Sequence, residues 1–135
     1  MKKTLKLLVL LPLLCGLSVI SGCNKDDDKF NWPMETLHGT WDGTHVKSEA
    51  TGNWVDITGT PSLRFSIRFN PDGTYSGSGA FGTGNGTYTA KGNTIITYVG
   101  GQEYARYIVR TLTGTNAELT MHMGTSSMDI RVRKR

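Results

Sequence analysis

The chain has 135 residues, with 15 Lys or Arg against 11 Asp or Glu and a formal net charge of +4. This length accommodates one domain with a single core. Removal of an N-terminal export signal with its three lysines would leave a net charge of +1, so the charge does not point to nucleic acid as a partner.

Residues 1–22 have the layout of an export signal peptide. A short basic start precedes an apolar run over residues 7–20, and small residues follow. A membrane-spanning helix needs about 20 predominantly apolar residues, and Pro12 interrupts a run that is already shorter. We therefore predict an export signal rather than a membrane span.

Cys23 directly follows Ile20-Ser21-Gly22. This arrangement resembles the lipobox of bacterial lipoproteins, in which the cysteine after small residues is lipidated and becomes the first residue of the mature protein. The resemblance implies that Cys23 carries diacylglycerol and a further acyl chain such as palmitate, and two chains suffice for stable anchoring. An ordinary secretory signal is the alternative. With Cys15 removed in the signal, no cysteine remains for a disulfide, thiol catalysis or a metal site.

An acidic linker is predicted for residues 23–36. The consecutive aspartates Asp26 to Asp28 repel one another and do not fit in a core, so this stretch is expected to be solvated. The cluster also resembles the tag that directs lipoproteins of some Gram-negative bacteria to the cell surface. The resemblance implies an outer-membrane lipoprotein displayed on the surface, with the periplasmic face of the outer membrane as the alternative.

A single β domain is predicted for residues 37–135, after one possible helical turn from Pro33 to Leu37. The clearest strand covers residues 62–69, in which every second residue is apolar: Leu63, Phe65, Ile67 and Phe69. This alternation is typical of a strand with one buried face. A turn is predicted next, because Pro71 fixes its own φ and Gly73 accepts a positive φ.

About eight such runs recur along the domain, separated by Gly, Asn and Asp at spacings of about 8 to 12 residues. The first is "GTWDGTHVK" and the last is "SMDIRVRKR". Tight turns between consecutive strands favour an antiparallel up-and-down meander. We predict an all-β fold in which this meander closes into a small eight-stranded β-barrel, since closure removes exposed edges.

A family resemblance agrees with this fold. The stretches Leu37-His38-Gly39-Thr40-Trp41, "FNPDGTY" at 69–75 and "GTY" at 86–88 are similar to the lipocalin-like domains of small bacterial lipoproteins. The resemblance implies that Trp41 plugs the closed end of the barrel and that an arginine of the last strand, Arg131 or Arg133, covers it. An eight-stranded barrel has room for its own side chains or for one small ligand.

The glycine-rich stretch Gly77–Gly82 fits the pattern G-x-G-x-x-G. A dinucleotide site needs this turn between a strand and a helix, and here a second strand follows. We interpret the stretch as a hairpin whose glycines allow strong bending. A flap beside the mouth of the barrel is the functional hypothesis.

Neither a metal site nor a catalytic site is predicted. The histidines, His38, His45 and His122, lack metal-ligand spacing. His45 shares a face with Trp41 in an unbroken strand and is expected to point into the barrel. The acidic residues that could form a hydrolytic pair are scattered: Asp42, Glu49, Asp56 and Glu103. We therefore predict a protein without cofactor, metal or enzymatic activity.

Aromatic residues at inward positions are the strongest functional signal. They either fill the core or line a pocket for an apolar or sugar-like ligand. The long link at residues 48–60 carries Trp54, which lipocalin topology would place on a lid over the open end. The candidate ligand-binding residues are Trp41, His45, Trp54, Tyr75, Phe81, Tyr88 and Tyr107.

Together these features predict a lipid-anchored, non-enzymatic binding module for a small, mostly apolar molecule. The alternative is an interaction protein with a filled barrel, an accessory of an envelope complex. A cavity above about 300 Å³ near Trp54 would favour the first. A filled interior with an exposed apolar patch would favour the second.

Overall fold

The computed structural model describes residues 29–135. This part of the chain contains one short helix, α1 (Met34–Leu37), a 3₁₀ turn (Pro61–Leu63) and nine strands. The strands are β1 (Gly39–Lys47), β2 (Trp54–Asp56), β3 (Phe65–Phe69), β4 (Thr74–Gly79), β5 (Gly84–Lys91), β6 (Thr94–Val99), β7 (Gln102–Leu112), β8 (Asn116–Met123) and β9 (Ser126–Lys134). The predicted signal peptide and Cys23 lie outside the described residues. Within residues 29–135, no helix has the length and apolar character that crossing a membrane requires.

Eight of the strands form a closed antiparallel barrel, which confirms the predicted fold. Each strand from β3 to β9 pairs with the next, and β1 pairs with both β3 and β9 to close the sheet. The ninth strand, β2, is short and pairs with the last residues of β1, from His45↔Asp56 to Lys47↔Trp54. Strand β2 thus pairs with the end of β1, whereas β3 pairs with its beginning.

The apolar alternation in β3 is real but starts later than predicted. Phe65, Ile67 and Phe69 are buried, whereas Leu63 is 43% exposed in the 3₁₀ turn. Pro61 begins that turn, because its fixed φ suits a helical start and it lacks the N–H that a strand ladder needs. The turn after β3 forms as predicted: Gly73 has a φ of +89°, and Asp72 accepts hydrogen bonds from the N–H and hydroxyl of Thr74.

A bulge at Thr44 reverses the alternation in β1. Gly43 lies opposite Val132, but the next paired residue is His45, opposite Arg131. Because one residue is inserted, Gly43 and Val46 face the interior and His45 faces outward. The expectation that His45 points into the barrel is therefore wrong. Gly43 is required at this position, since a Cβ there would lie 2.3 Å from the Phe65 ring.

The segment before β1 packs across one end of the barrel. Phe30 forms a β-bridge with Gly92, and Gly92 N–H donates to the Lys29 carbonyl at 2.8 Å. Phe30, Trp32 and Met34 pack against the core. The linker predicted for residues 23–36 is therefore not solvated throughout, because Phe30, Trp32 and Met34 contact the core. The aspartates of the predicted linker lie outside the described residues.

Candidate functional site

The two ends of the barrel differ in how they are covered. The closed end is formed by the start of β1 and the turns at 70–73, 92–93 and 113–115. The mouth, at the other end, is formed by β2 and the turns at 80–83, 100–101 and 124–125. Helix α1 and residues 29–33 lie over the closed end.

Trp41 is the centre of the closed end. Its side chain is only 2% exposed, and its Nε1–H donates to the Leu37 carbonyl at 2.8 Å. The side chain covering it belongs to Lys134, whose Nζ lies 5.1 Å from the ring centroid and donates to the Thr36 carbonyl at 2.9 Å. This combination of a buried indole, a cation above it and a paired N–H fixes the end of the barrel.

The lumen above Trp41 is filled by side chains. Around it, Ile67, Phe69 and Ile95 leave a cavity of only about 10 Å³. The Phe69 ring contacts that of Tyr88, with centroids 4.9 Å apart, and that of Tyr107 at 6.5 Å. Such packing matches an ordinary protein core. Among the described residues, the cavity next to the closed end is therefore too small for a ligand.

The mouth, in contrast, contains an open groove of about 620 Å³. Its lining is mainly apolar: Val46, Val55, Phe81, Met121, Met123 and Met128. Lys47, Glu49 and three serines lie at its margin. Binding pockets for small molecules are usually concave, mostly apolar and about 300–1,000 Å³ in volume, so the groove has the required size and chemistry.

The three methionines of the groove come from one hairpin, formed by β8 and β9. Met121 pairs with Met128, and Met123 lies two residues further along the same inward face of β8. Met121 is 4% exposed, and the other two are partly buried against the core. Methionine is flexible and polarizable, which suits surfaces that adapt to different apolar shapes. Sequence reasoning missed this cluster, although the alternation on either side of the Gly124 turn contains the signal.

The closed end, with its Gly-x-Trp on β1, agrees with the comparison of the sequence with protein families. Residues 37–119, more than half of the chain, match the lipocalin-like domain. The chain belongs to this family. The matched region begins at the end of α1 and reaches into β8. No significant match is found among curated proteins or solved structures.

In this lipocalin-like barrel the cover over Trp41 differs from the expected one. The resemblance implied Arg131 or Arg133, but Lys134 occupies that place. Arg131 instead stacks on the outer face of Trp54, with its Cζ 3.9 Å from the ring centroid, and pairs with Glu118. Lys134 reaches the closed end because β9 continues past Val132 alongside the first residues of β1.

Trp54 does not form a lid over the mouth. It lies on β2 opposite Lys47, and both side chains face outward, whereas the neighbouring pair Val46 and Val55 faces the groove. The lid expectation placed Trp54 in a loop, but β2 fixes its direction by strand alternation. Val55 is the residue of this strand that lines the mouth.

Phe81 does lie beside the mouth, in the turn between β4 and β5. Its ring packs on that of Phe65 with centroids 4.6 Å apart, and its carbonyl accepts a hydrogen bond from the Tyr104 hydroxyl. Gly79 and Gly82, on either side, have φ values of +99° and +108°, which L side chains rarely adopt. The glycine-rich motif is thus a strand-to-strand turn, and no helix follows it.

The remaining predicted aromatic residues are in the core. Tyr75, Tyr88 and Tyr107 are 3%, 7% and 4% exposed. The Tyr88 hydroxyl donates to the Asn70 carbonyl at 2.8 Å, so this residue serves the closed end. Burial raises the pKa of Tyr107 far above its ordinary value and raises the pKa of Tyr75 as well, so both hydroxyls stay protonated.

Charged groups gather on the outside of the barrel. Asp42 accepts hydrogen bonds from Ser66 and Arg135, and the bond to Arg135 is the main reason why the pKa of Asp42 lies below its ordinary value. Arg64, Arg133 and Arg135 line a polar depression of about 480 Å³ there. Among residues 29–135, no three His, Cys, Asp or Glu side chains come together as a metal site.

Proposed function

We propose that this lipocalin-like protein binds a small, mostly apolar molecule in the groove at the mouth of its barrel. The observation that carries the proposal is the concave apolar surface of about 620 Å³ formed by the three methionines with Val46, Val55 and Phe81. The family supports a binding role. The exposed carboxylates support a non-enzymatic one, because Asp42, Asp56 and Glu103 each bond to a separate neighbour instead of sharing a cleft.

The filled lumen determines where such a ligand lies. The deep cavity is about 10 Å³, no more than the least space that one water molecule needs, so no ligand fits there. The ligand is therefore held near the rim, with one side towards solvent. This shallow site favours molecules with an apolar body and predicts moderate rather than very tight affinity, because little of the ligand surface is removed from water.

Binding of N-phenyl-1-naphthylamine, a neutral apolar fluorophore, tests the proposal. The whole chain is reconstituted in lipid nanodiscs, and energy transfer from its three tryptophans to the probe is measured. The component that rises linearly with probe concentration, as partition into lipid does, is determined with empty nanodiscs and subtracted. We expect saturable binding that the double variant Met123→Gln/Met128→Gln weakens at least tenfold. Leu63→Gln, which changes an exposed apolar residue away from the groove, is the matched control and should leave the affinity unchanged.

An interaction protein is the second candidate function, and the filled lumen favours it. The same groove would then hold an apolar side chain of an envelope protein, next to the exposed Val55. The probe experiment tests the first candidate directly. Absence of saturable transfer, or equal affinity in the double variant and in wild type, would contradict the small-molecule proposal and leave the interaction role.

We also propose that Cys23 anchors the protein by acyl chains to the outer membrane, at the cell surface. The support is the sequence Ile20-Ser21-Gly22-Cys23 with the aspartates after it. Cys23→Ala tests the anchor: the variant should lose labelling by radioactive palmitate and leave the membrane fraction. Ser21→Ala keeps a small residue before the cysteine and should retain both. Unchanged membrane partition of Cys23→Ala would refute the anchor.

A further inference from the structure

A small cavity lies beneath Phe81, between the lumen and the mouth. Its volume is about 20 Å³, and its walls include the rings of Phe65 and Phe81 and three tyrosines, Tyr75, Tyr104 and Tyr107. No charged side chain is among its lining residues. We call it the tyrosine cavity. A polar space of this size holds one water molecule or one small functional group.

The Tyr107 hydroxyl in this cavity is deeply buried and has no hydrogen-bond partner among residues 29–135. Of the other two tyrosines, the Tyr104 hydroxyl donates to the Phe81 carbonyl, and the Tyr75 hydroxyl lies near the Thr97 side chain. Buried hydroxyls almost always have a partner, because an unpaired one keeps the full cost of leaving water. Because Tyr107 is only 4% exposed, its hydroxyl is therefore expected to bond to a water molecule or to a group of a bound ligand.

Tyr104 belongs to this cavity because of a bulge in β7. The pairing with β6 shifts between Thr97 and Tyr98, which leaves Tyr104 as the inserted residue. Thr97 fixes the bulge, since its hydroxyl donates to the Ala105 carbonyl and accepts from the Ala105 N–H. Two tyrosines close in sequence, Tyr104 and Tyr107, thereby line one space instead of pointing to opposite faces.

Phe81 separates the tyrosine cavity from the mouth groove. It lines both of them, and it is the residue that they share. Its turn is short, with Gly79 and Gly82 in backbone conformations that only glycine adopts easily. Its ring makes a tilted contact with Phe65, and its carbonyl accepts a hydrogen bond from Tyr104. A rotation of the Phe81 side chain would join the two spaces.

We propose that the tyrosine cavity and the mouth groove are two parts of one site for a neutral amphiphile, whose hydroxyl or carbonyl head bonds to Tyr107 while its unbranched apolar tail lies along the methionines. The inference rests on the proposed function of the groove. A charged head is disfavoured because no counter-charge lines the cavity and burial of an unpaired ion is very costly. A branched head is disfavoured by the volume of about 20 Å³.

Competition with decan-1-ol tests this site. In the nanodisc assay, decan-1-ol displaces N-phenyl-1-naphthylamine, and its affinity is compared between wild type and Tyr107→Phe. Loss of one hydrogen bond should weaken decan-1-ol about three- to tenfold and leave the affinity of the apolar probe unchanged. Tyr88→Phe is the matched control, because its hydroxyl bonds to Asn70 at the closed end, and it should bind decan-1-ol like wild type.

The possible failures are distinguishable. If the probe binds but Tyr107→Phe and wild type have the same affinity for decan-1-ol, the cavity holds a buried water only and the inference is wrong, while the groove remains a binding site. If decanoate competes as well as decan-1-ol, the preference for a neutral head is wrong. If the probe itself does not bind, the proposed function is wrong, and so is the inference that rests on it.

Discussion

The closed end and the mouth of this barrel are built from the same eight strands but differ in what covers them. At the closed end, residues 29–38 cross the opening, and both the Trp41 indole N–H and the Lys134 ammonium have carbonyl partners in that segment. At the mouth, three methionines line an open groove, and two of them, Met123 and Met128, are only partly buried. Strand alternation supplies an apolar interior along the whole barrel, and the covering segment determines which end becomes core and which becomes a surface for binding.

The largest effect should come from breaking the closed end. Trp41→Ala removes a fully buried indole and leaves a cavity among residues that are already close-packed, so we expect a loss of about 3–5 kcal/mol in the free energy of unfolding. Urea denaturation followed by circular dichroism measures it. Trp54→Ala is the control, because that indole lies on the outer face under Arg131, and its loss should cost less than half as much. Equal losses would contradict the distinction between the inner and the outer tryptophan.

The mouth should tolerate change better. Met123 and Met128 are only partly buried, so each replacement by Gln in the double variant should lower the free energy of unfolding by about 1 kcal/mol or less. The same denaturation experiment measures this. A combined loss as large as that of Trp41→Ala would show that the methionines serve the core rather than a ligand.

The smallest effect is expected on the outer wall. Asp42→Asn removes the ion pair with Arg135, in which the paired atoms are 2.8 Å apart. The two side chains are 40% and 65% exposed, so solvent screens the pair and the loss at pH 7 should be below about 1 kcal/mol. Because the pKa of Asp42 is lowered in the folded state, its contribution is present above the ordinary aspartate value of 3.8 and disappears as the pH falls through the folded value. Wild type and variant should therefore differ at pH 7, and the difference should shrink as the pH falls below 3.8 and through the folded value. A difference that does not change over this pH range would show that charge is not the cause.

The bulges at Thr44 and Tyr104 could not be predicted from the local sequence pattern. The alternation in "GTWDGTHVK" placed Trp41 inside correctly but predicted the wrong face for His45, because the insertion at Thr44 depends on how β1 meets β9 and β2. The bulge at Tyr104 likewise arises from the pairing of β6 with β7. An inserted residue leaves no mark in a hydrophobic pattern of period two until the partner strand is known.

The sequence by itself determined the number of barrel strands, their antiparallel order, the burial of Trp41, Tyr75, Tyr88 and Tyr107, and the turn at Asn70–Thr74. These depend on contacts between near neighbours and on a repeating pattern that is visible along the chain. Only the tertiary structure decided that Lys134 covers Trp41, that the lumen is filled, and that Phe81 divides a methionine groove from a tyrosine cavity. Those features depend on the volumes and directions of side chains from distant strands, which meet only when the barrel closes.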